Sequence, residues 1–173
     1  MVILCHHRGH AGCSADAGLR AGEGPDLAPA QEIMKLMTIV VGYRPNEFGE
    51  IALEHALTRA QATSSRLVVV NVAQDEGLDD PDFVRGYELE QLRMKLGNSG
   101  LAGYDVSQPV GVETAELLLE AVEKEDADLL VIGIRPRSAV GKFLMGSVAQ
   151  KVLMGATVPV LTVKPGQVPA SVM

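Results

Sequence analysis

Tryptophan is absent and aromatic residues make up only 3% of the 173-residue chain, so its core has to be assembled from aliphatic side chains and methionine. Cysteine is nearly as scarce. The two present, Cys5 and Cys13, both lie near the amino terminus and leave the rest of the chain without a disulfide, which fits a reducing, cytoplasmic setting. Cationic residues are outnumbered, and the net charge of −7 argues against nucleic acid or an anionic membrane surface as a partner. No stretch approaches the roughly 18 apolar residues of a membrane span. What remains is a 47% apolar chain of a length suited to one domain with a sizeable core.

Residues 1–36 differ in kind from the rest. They are rich in Gly, Ala and His and carry no sustained periodicity before the segment Ala-Gln-Glu-Ile-Met-Lys-Leu. His6, His7 and Arg8 interrupt the short apolar start, so it is no signal peptide. Cys5, His6, His7, His10 and Cys13 match no zinc spacing, and no metal site is expected. This stretch is read as a disordered extension. Met37 opens the first strand directly and is taken as the natural start. A domain over 37–165 follows, and residues 166–173 form a frayed tail.

Within the domain, apolar runs alternate with amphipathic ones. Thr38-Ile-Val-Val-Gly reads as a central strand, and Asn46 as the N-cap of a helix running to about Ala62. Gly49, Leu53, Ala56, Leu57 and Ala60 form that helix's buried stripe, and His55 beside it reads as a structural histidine. Arg66-Leu-Val-Val-Val-Asn-Val is the second strand. An acidic connection follows, with Asp75, Glu76, Asp79, Asp80 and Asp82; its spacing is not that of a calcium loop. Leu89, Leu92 and Leu96 line a second helix, stopped at Gly97. A weaker strand over 104–110 suits a sheet edge. Thr114 is expected to cap a third helix whose inner face is Ala115, Leu118, Leu119 and Val122.

The most informative stretch comes last. Leu129 to Ile132 is a buried strand, stopped at Gly133 and followed by a basic loop with Arg135, Arg137 and Lys142. Gly146-Ser147 opens a fourth helix with Ala149, Val152, Leu153 and Ala156 at helical spacing, and Val158 to Val163 is a final strand. Strict alternation of strand and helix implies an α/β fold with an open five-stranded parallel sheet and right-handed crossovers. Two strand orders satisfy it, 3-2-1-4-5 and 2-1-3-4-5. Sheets of this kind bind ligands at the carboxyl ends of their strands. A helix N-terminus there offers unpaired N–H groups and a positive dipole end to an anion. No Walker-type loop is present, since Phe143 follows Gly141-Lys142, and no Gly-x-Gly-x-x-Gly follows the first strand. No nucleophile, base and orienting acid assemble from near neighbours, so an enzyme is not expected.

Gly133-x2-Pro136-x9-Gly146-Ser147 resembles the nucleotide motif of the universal stress protein family, Gly-x2-Gly-x9-Gly-Ser/Thr, with Pro136 in place of the second glycine. Asp126-Ala-Asp-Leu-Leu-Val-Ile-Gly and Val-Pro-Val-Leu-Thr-Val are similar to that family's fourth and closing strands, and the likeness runs from about Met37 to Lys164. The resemblance implies a Rossmann-like three-layer sandwich with strand order 3-2-1-4-5. It also implies a regulatory ATP or related adenine nucleotide, with or without magnesium, in a stress response. The implied nucleotide-binding set is Gly42, Tyr43 and Arg44 after strand one, Val72 at the adenine, and Gly133, Arg135, Arg137, Gly146, Ser147 and Val148 around the phosphates. The family's nucleotide-binding members carry an Asp where Arg44 stands here, and a cation at that position is suited to a phosphate. A homodimer through the strand from Val158 to Val163 is implied as well. The alternative is a scaffold of the same fold that dimerises without nucleotide.

Overall fold

The structure, a computed structural model, describes residues 36–73, 80–135 and 146–169. Among them β1 (Thr38–Gly42), α1 (Glu47–Thr63), β2 (Arg66–Val70), α2 (Gly86–Gly97), β3 (Gly103–Ser107), α3 (Thr114–Lys124), β4 (Leu129–Gly133), α4 (Ser147–Gly155) and β5 (Val160–Val163) alternate without exception. Every strand pairing is parallel and the order is β3-β2-β1-β4-β5, the order the resemblance implies. The extension read over 1–36 lies almost wholly outside the described residues, as do the acidic positions Asp75, Glu76 and Asp79.

Successive strand side chains point to opposite faces, and this divides the core in two. Ile39, Val41, Leu67, Val69 and Val131 pack against Leu53 and Ala56 of α1 and Leu92 and Leu96 of α2. Val40, Val68, Val70, Leu130 and Ile132 pack on the other face against Ala115, Leu118 and Val122 of α3 and Ala149 and Val152 of α4. Each buried Val, Leu or Ile side chain contributes about 1.5–3 kcal/mol when removed from water, so a core nearly free of aromatics suffices. Among the described residues no helix is long and apolar enough to cross a membrane.

The local signals act as their chemistry requires. Asn46 caps α1, its side-chain oxygen accepting from the Phe48 and Gly49 amides at 3.1 Å each. The acidic lead-in to β4 also has a definite role. The Asp128 carboxylate accepts from the Thr38 amide at 2.8 Å, and the Asp128 amide returns a bond to the Thr38 carbonyl. His55 is half-buried, with Nε2 3.4 Å from the Gln167 carbonyl. Gln167, within the stretch read as a frayed tail, also accepts from the Lys164 amide at 2.6 Å; residues 170–173 lie outside the described ones.

Several expectations need correction. Thr114 does not cap α3: it is the first helical residue, buried against the crevice described below, while Glu113 takes the cap position without a side-chain cap bond. β3 ends at Ser107, and Val110 meets its neighbour only through an isolated bridge to Ala73 after the non-donating Pro109. Leu153 is 40% exposed, because the short α4 buries only the Ala149–Val152 stripe. Gly133 does more than end a strand. A Cβ there would stand 2.0 Å from the Phe48 carbonyl oxygen, so the first turn of α1 is seated against the end of β4 through that missing atom.

Gly133→Ala should therefore destabilise the protein by about 2 kcal/mol or more, because backbone rather than a flexible side chain must move. Gly146, whose added Cβ meets nothing within 4 Å, is the control. Gly146→Ala should cost no more than about 1 kcal/mol, the scale of a lost cap preference. Urea unfolding midpoints of the two variants check the contrast.

Candidate functional site

The loops after β1 and β4 diverge at the carboxyl edge of the sheet and leave a cavity of about 380 Å³. Val70, Val72, Leu118, Ile132, Ile134 and Ala149 supply its apolar lining. Polar side chains come from Arg44, Asn46, Asp82, Thr114 and Arg135, with Gly42, Gly49, Gly133 and Gly146 completing the backbone wall. α1 starts here with its amides capped by Asn46, whereas α3 and α4 start here with no side-chain cap bond. Their leading N–H groups add positive potential to the α3 and α4 side of the cavity.

One buried amide holds the walls together. Asn71, fully buried at the end of β2, donates from Nδ2 to the Tyr43 carbonyl at 3.1 Å and to the Asp82 carbonyl at 2.9 Å. Its Oδ1 accepts from the Val84 amide at 2.8 Å and from Gln108 Nε2 at 3.2 Å. All the hydrogen-bonding capacity of a primary amide, two donors and two lone pairs, is used. The loop after β1, the segment leading into α2 and the residues after β3 thus meet at a single side chain.

Arg44 is already partnered. Its Nη1 lies 2.9 Å from Asp82 Oδ2, the two side chains being 37% and 39% exposed, and Asn46 Nδ2 approaches Asp82 Oδ1 at 3.5 Å. The cation expected to face a phosphate instead clasps the one carboxylate among the described lining residues. Tyr43 contributes backbone to the cavity, its amide donating to the Val70 carbonyl at 2.9 Å. Its ring belongs to the α1–α2 core, and its hydroxyl donates to Glu50, whose other oxygen accepts from Lys95 at 2.9 Å. Burial first, then the bond to the Glu50 carboxylate, pushes the phenol well above its ordinary 10.0. Arg135 sits with its guanidinium 5.1 Å from the centre of the Phe48 ring, a cation–π contact that holds it at the rim.

Of the residues singled out in the sequence, Gly42, Tyr43, Arg44, Val72, Gly133, Arg135, Gly146 and Val148 line this one cavity. Ser147 does not: on the first turn of α4 it is rotated outward and exposed, while Val148 and Ala149 turn in. Arg137, with Pro136, Ser138 and Lys142, lies outside the described residues. Asn71, Asp82, Thr114 and Phe48 were missed. Asn71 had a signal, a lone amide inside an apolar strand run, where an unpaired polar group is costly. Among the described residues no group of three or more His, Cys, Asp or Glu could hold a metal ion.

Asn71→Ala should cost about 2–4 kcal/mol in unfolding free energy, since it strands buried backbone partners as well as losing their bonds. Tyr43 gives a pH test. Its folded-state pKa is raised, so its contribution is fully present below 10.0 and is lost as pH rises through the folded-state value. Tyr43→Phe should flatten the decline in urea midpoint above roughly pH 10, measured as the difference from the unmodified chain.

The family model described as the universal stress protein family matches residues 35–164. A universal stress protein of Mycolicibacterium smegmatis is 44% identical over 127 residues, covering 73% of this chain and 97% of that protein. Among solved structures, a universal stress protein from Archaeoglobus fulgidus superposes with a TM-score of 0.58 at 26% identity, covering 73% of this chain and 92% of the other. A universal stress protein crystallised in complex with cAMP shares the fold, with a TM-score of 0.60 at 24% identity over 76% of this chain and 98% of its own. With its strand order and the span of that match, the chain belongs to the universal stress protein family.

Proposed function

We propose that this chain binds ATP or a related adenine nucleotide in the crevice between β1 and β4, as a regulatory ligand in a cytoplasmic stress response. The observation that carries the reading is the cavity itself. Its volume of about 380 Å³ lies within the range of small-molecule sites, its floor is apolar, and both Arg135, on the Phe48 ring of α1, and the starts of α3 and α4 border it. An apolar floor favours a base, and the guanidinium and the helix starts favour phosphate oxygens. The complex with cAMP belongs to the fold neighbour and speaks for the fold alone. Magnesium would enter on the phosphates, because the one carboxylate among the described lining residues is engaged by Arg44. The ligand is read as regulatory rather than as a substrate, since no nucleophile paired with a general base lines the cavity among the described residues. Residues 37–165 are the proposed working domain, flanked by an N-terminal extension and a short tail.

A second reading, a scaffold that dimerises without nucleotide, is favoured by the far edge of the sheet. β5 is an edge strand whose Val160, Leu161 and Thr162 are only half-buried, and α4 just before it exposes Leu153 and, at 82%, Met154. An isologous pairing of two such edges would cover them.

Calorimetry on the full chain should give micromolar affinity for ATP with magnesium. Gly146→Val, which places its side chain in space now open, should weaken it by at least about tenfold, or 1.4 kcal/mol. No heat and no thermal shift at millimolar ATP would remove the nucleotide reading. Light scattering near twice 18.3 kDa, with or without ATP, is the expected result for the edge-strand dimer, and a monomer rejects it.

A further inference from the structure

Resting on the nucleotide reading, the geometry points to Asp82 as the residue that reads the uncharged part of the ligand, with Arg44 as its positioning residue. Asp82 is the one carboxylate among the described residues that line the cavity. It is fixed from both ends. Its carbonyl accepts from Asn71 at 2.9 Å and its amide donates to Asp80 Oδ1 at 2.9 Å, while Arg44 holds Oδ2 at 2.9 Å and Asn46 approaches Oδ1 at 3.5 Å. An ionised carboxylate has about four lone-pair sites, so two partners leave acceptor capacity unused at the cavity wall. Arg44 offsets the charge that would otherwise repel phosphate, and by doing so it is no longer a free phosphate ligand. The anionic end of a ligand is drawn to the starts of α3 and α4, on the opposite face of the sheet from α1, and to Arg135 on the Phe48 ring. A neutral hydrogen-bond donor then falls to Asp82. On an adenine nucleotide such donors are the ribose hydroxyls and the base amino group.

The test is calorimetry of ATP, 2′-deoxy-ATP, 3′-deoxy-ATP and inosine triphosphate against the full chain and its Asp82→Ala, Asp82→Asn, Arg44→Ala and Arg44→Lys variants. The two deoxy analogues identify the ribose as the donor, and inosine triphosphate the amino group. The unmodified chain should prefer ATP over at least one analogue by about tenfold, the scale of one hydrogen bond to a charged group. Asp82→Ala should weaken ATP by that factor while changing the disfavoured analogue by less than about threefold, erasing the preference. Asp82→Asn, which keeps an acceptor and the side-chain volume, should retain part of it and guards against misfolding of the alanine variant. Arg44→Ala should lower the preference and Arg44→Lys should partly restore it, a pattern that mere loss of stability does not produce. An unchanged preference in Asp82→Ala overturns the assignment while leaving nucleotide binding intact. So does an equal, strongly salt-dependent loss for all four nucleotides in Arg44→Ala, because Arg44 would then be a phosphate contact. If the unmodified chain binds none of the four, the nucleotide reading itself falls, and this assignment with it.

Discussion

The architecture of the crevice depends on one buried amide. Asn71 is fully enclosed, and each of its polar atoms has two partners, drawn from segments that are far apart in the chain. Removing a partner from a buried donor or acceptor costs about 1–3 kcal/mol, so the arrangement behaves as a unit rather than as separable contacts. The loop after β1 and the segment carrying Asp82 are thereby held in one relative position before any ligand arrives. Rigid walls reduce the ordering cost that a ligand must otherwise overcome.

Close backbone approach is the second constraint, and it acts at the base of α1. A Cβ on Gly49 would lie 2.0 Å from the Arg44 carbonyl oxygen, and one on Gly133 equally close to that of Phe48. The start of α1 is thus wedged between its own leading loop and the end of β4. That wedge brings Phe48 under Arg135 and Arg44 toward Asp82. Two missing side-chain atoms decide where two cations of the crevice can stand. Gly146 is the opposite case: its surroundings are open, so packing makes no demand for the missing side chain there.

The fold was largely legible in the sequence because the signals are local. Apolar β-branched runs gave β1, β2 and β4, and Asn46 marked the start of α1 to the residue. Strand order was not legible from periodicity, which constrains each strand's faces but not its neighbours; it came from the family motif. The cavity lining was legible where a motif fixes backbone, as at Gly133, Gly146 and Val148. It was not legible where side chains meet across distance. Arg44 and Asp82 are 38 positions apart, and nothing local distinguishes Asp82 from its acidic neighbours. Nor could Thr114 be read correctly, since a threonine before an amphipathic run suits a cap or a first turn equally, and only burial against the cavity decides.

Those cross-chain pairings also settle how charge is distributed around the cavity. On the β1 side Asn46 satisfies the start of α1, and Arg44 and Asp82 cancel one another. On the other side Glu113, at the start of α3, is neutralised by Lys151 at 2.5 Å, and the pairing in turn holds that lysine's pKa above its ordinary value. Arg135 rests on an aromatic face that orients it without removing its charge. Among the described residues the positive potential therefore comes from Arg135, on the α1 side, and from the starts of α3 and α4, although the chain as a whole carries −7. At physiological salt, charges more than about 8 Å apart are largely screened, so the surrounding acidity does little to an anion already inside the mouth. In the nucleotide reading it would deny the protein long-range steering of that anion. Capture would then depend on short-range geometry, which among the described residues is an apolar floor, two uncapped helix starts and one oriented guanidinium, held in place by contacts that a ligand does not have to make.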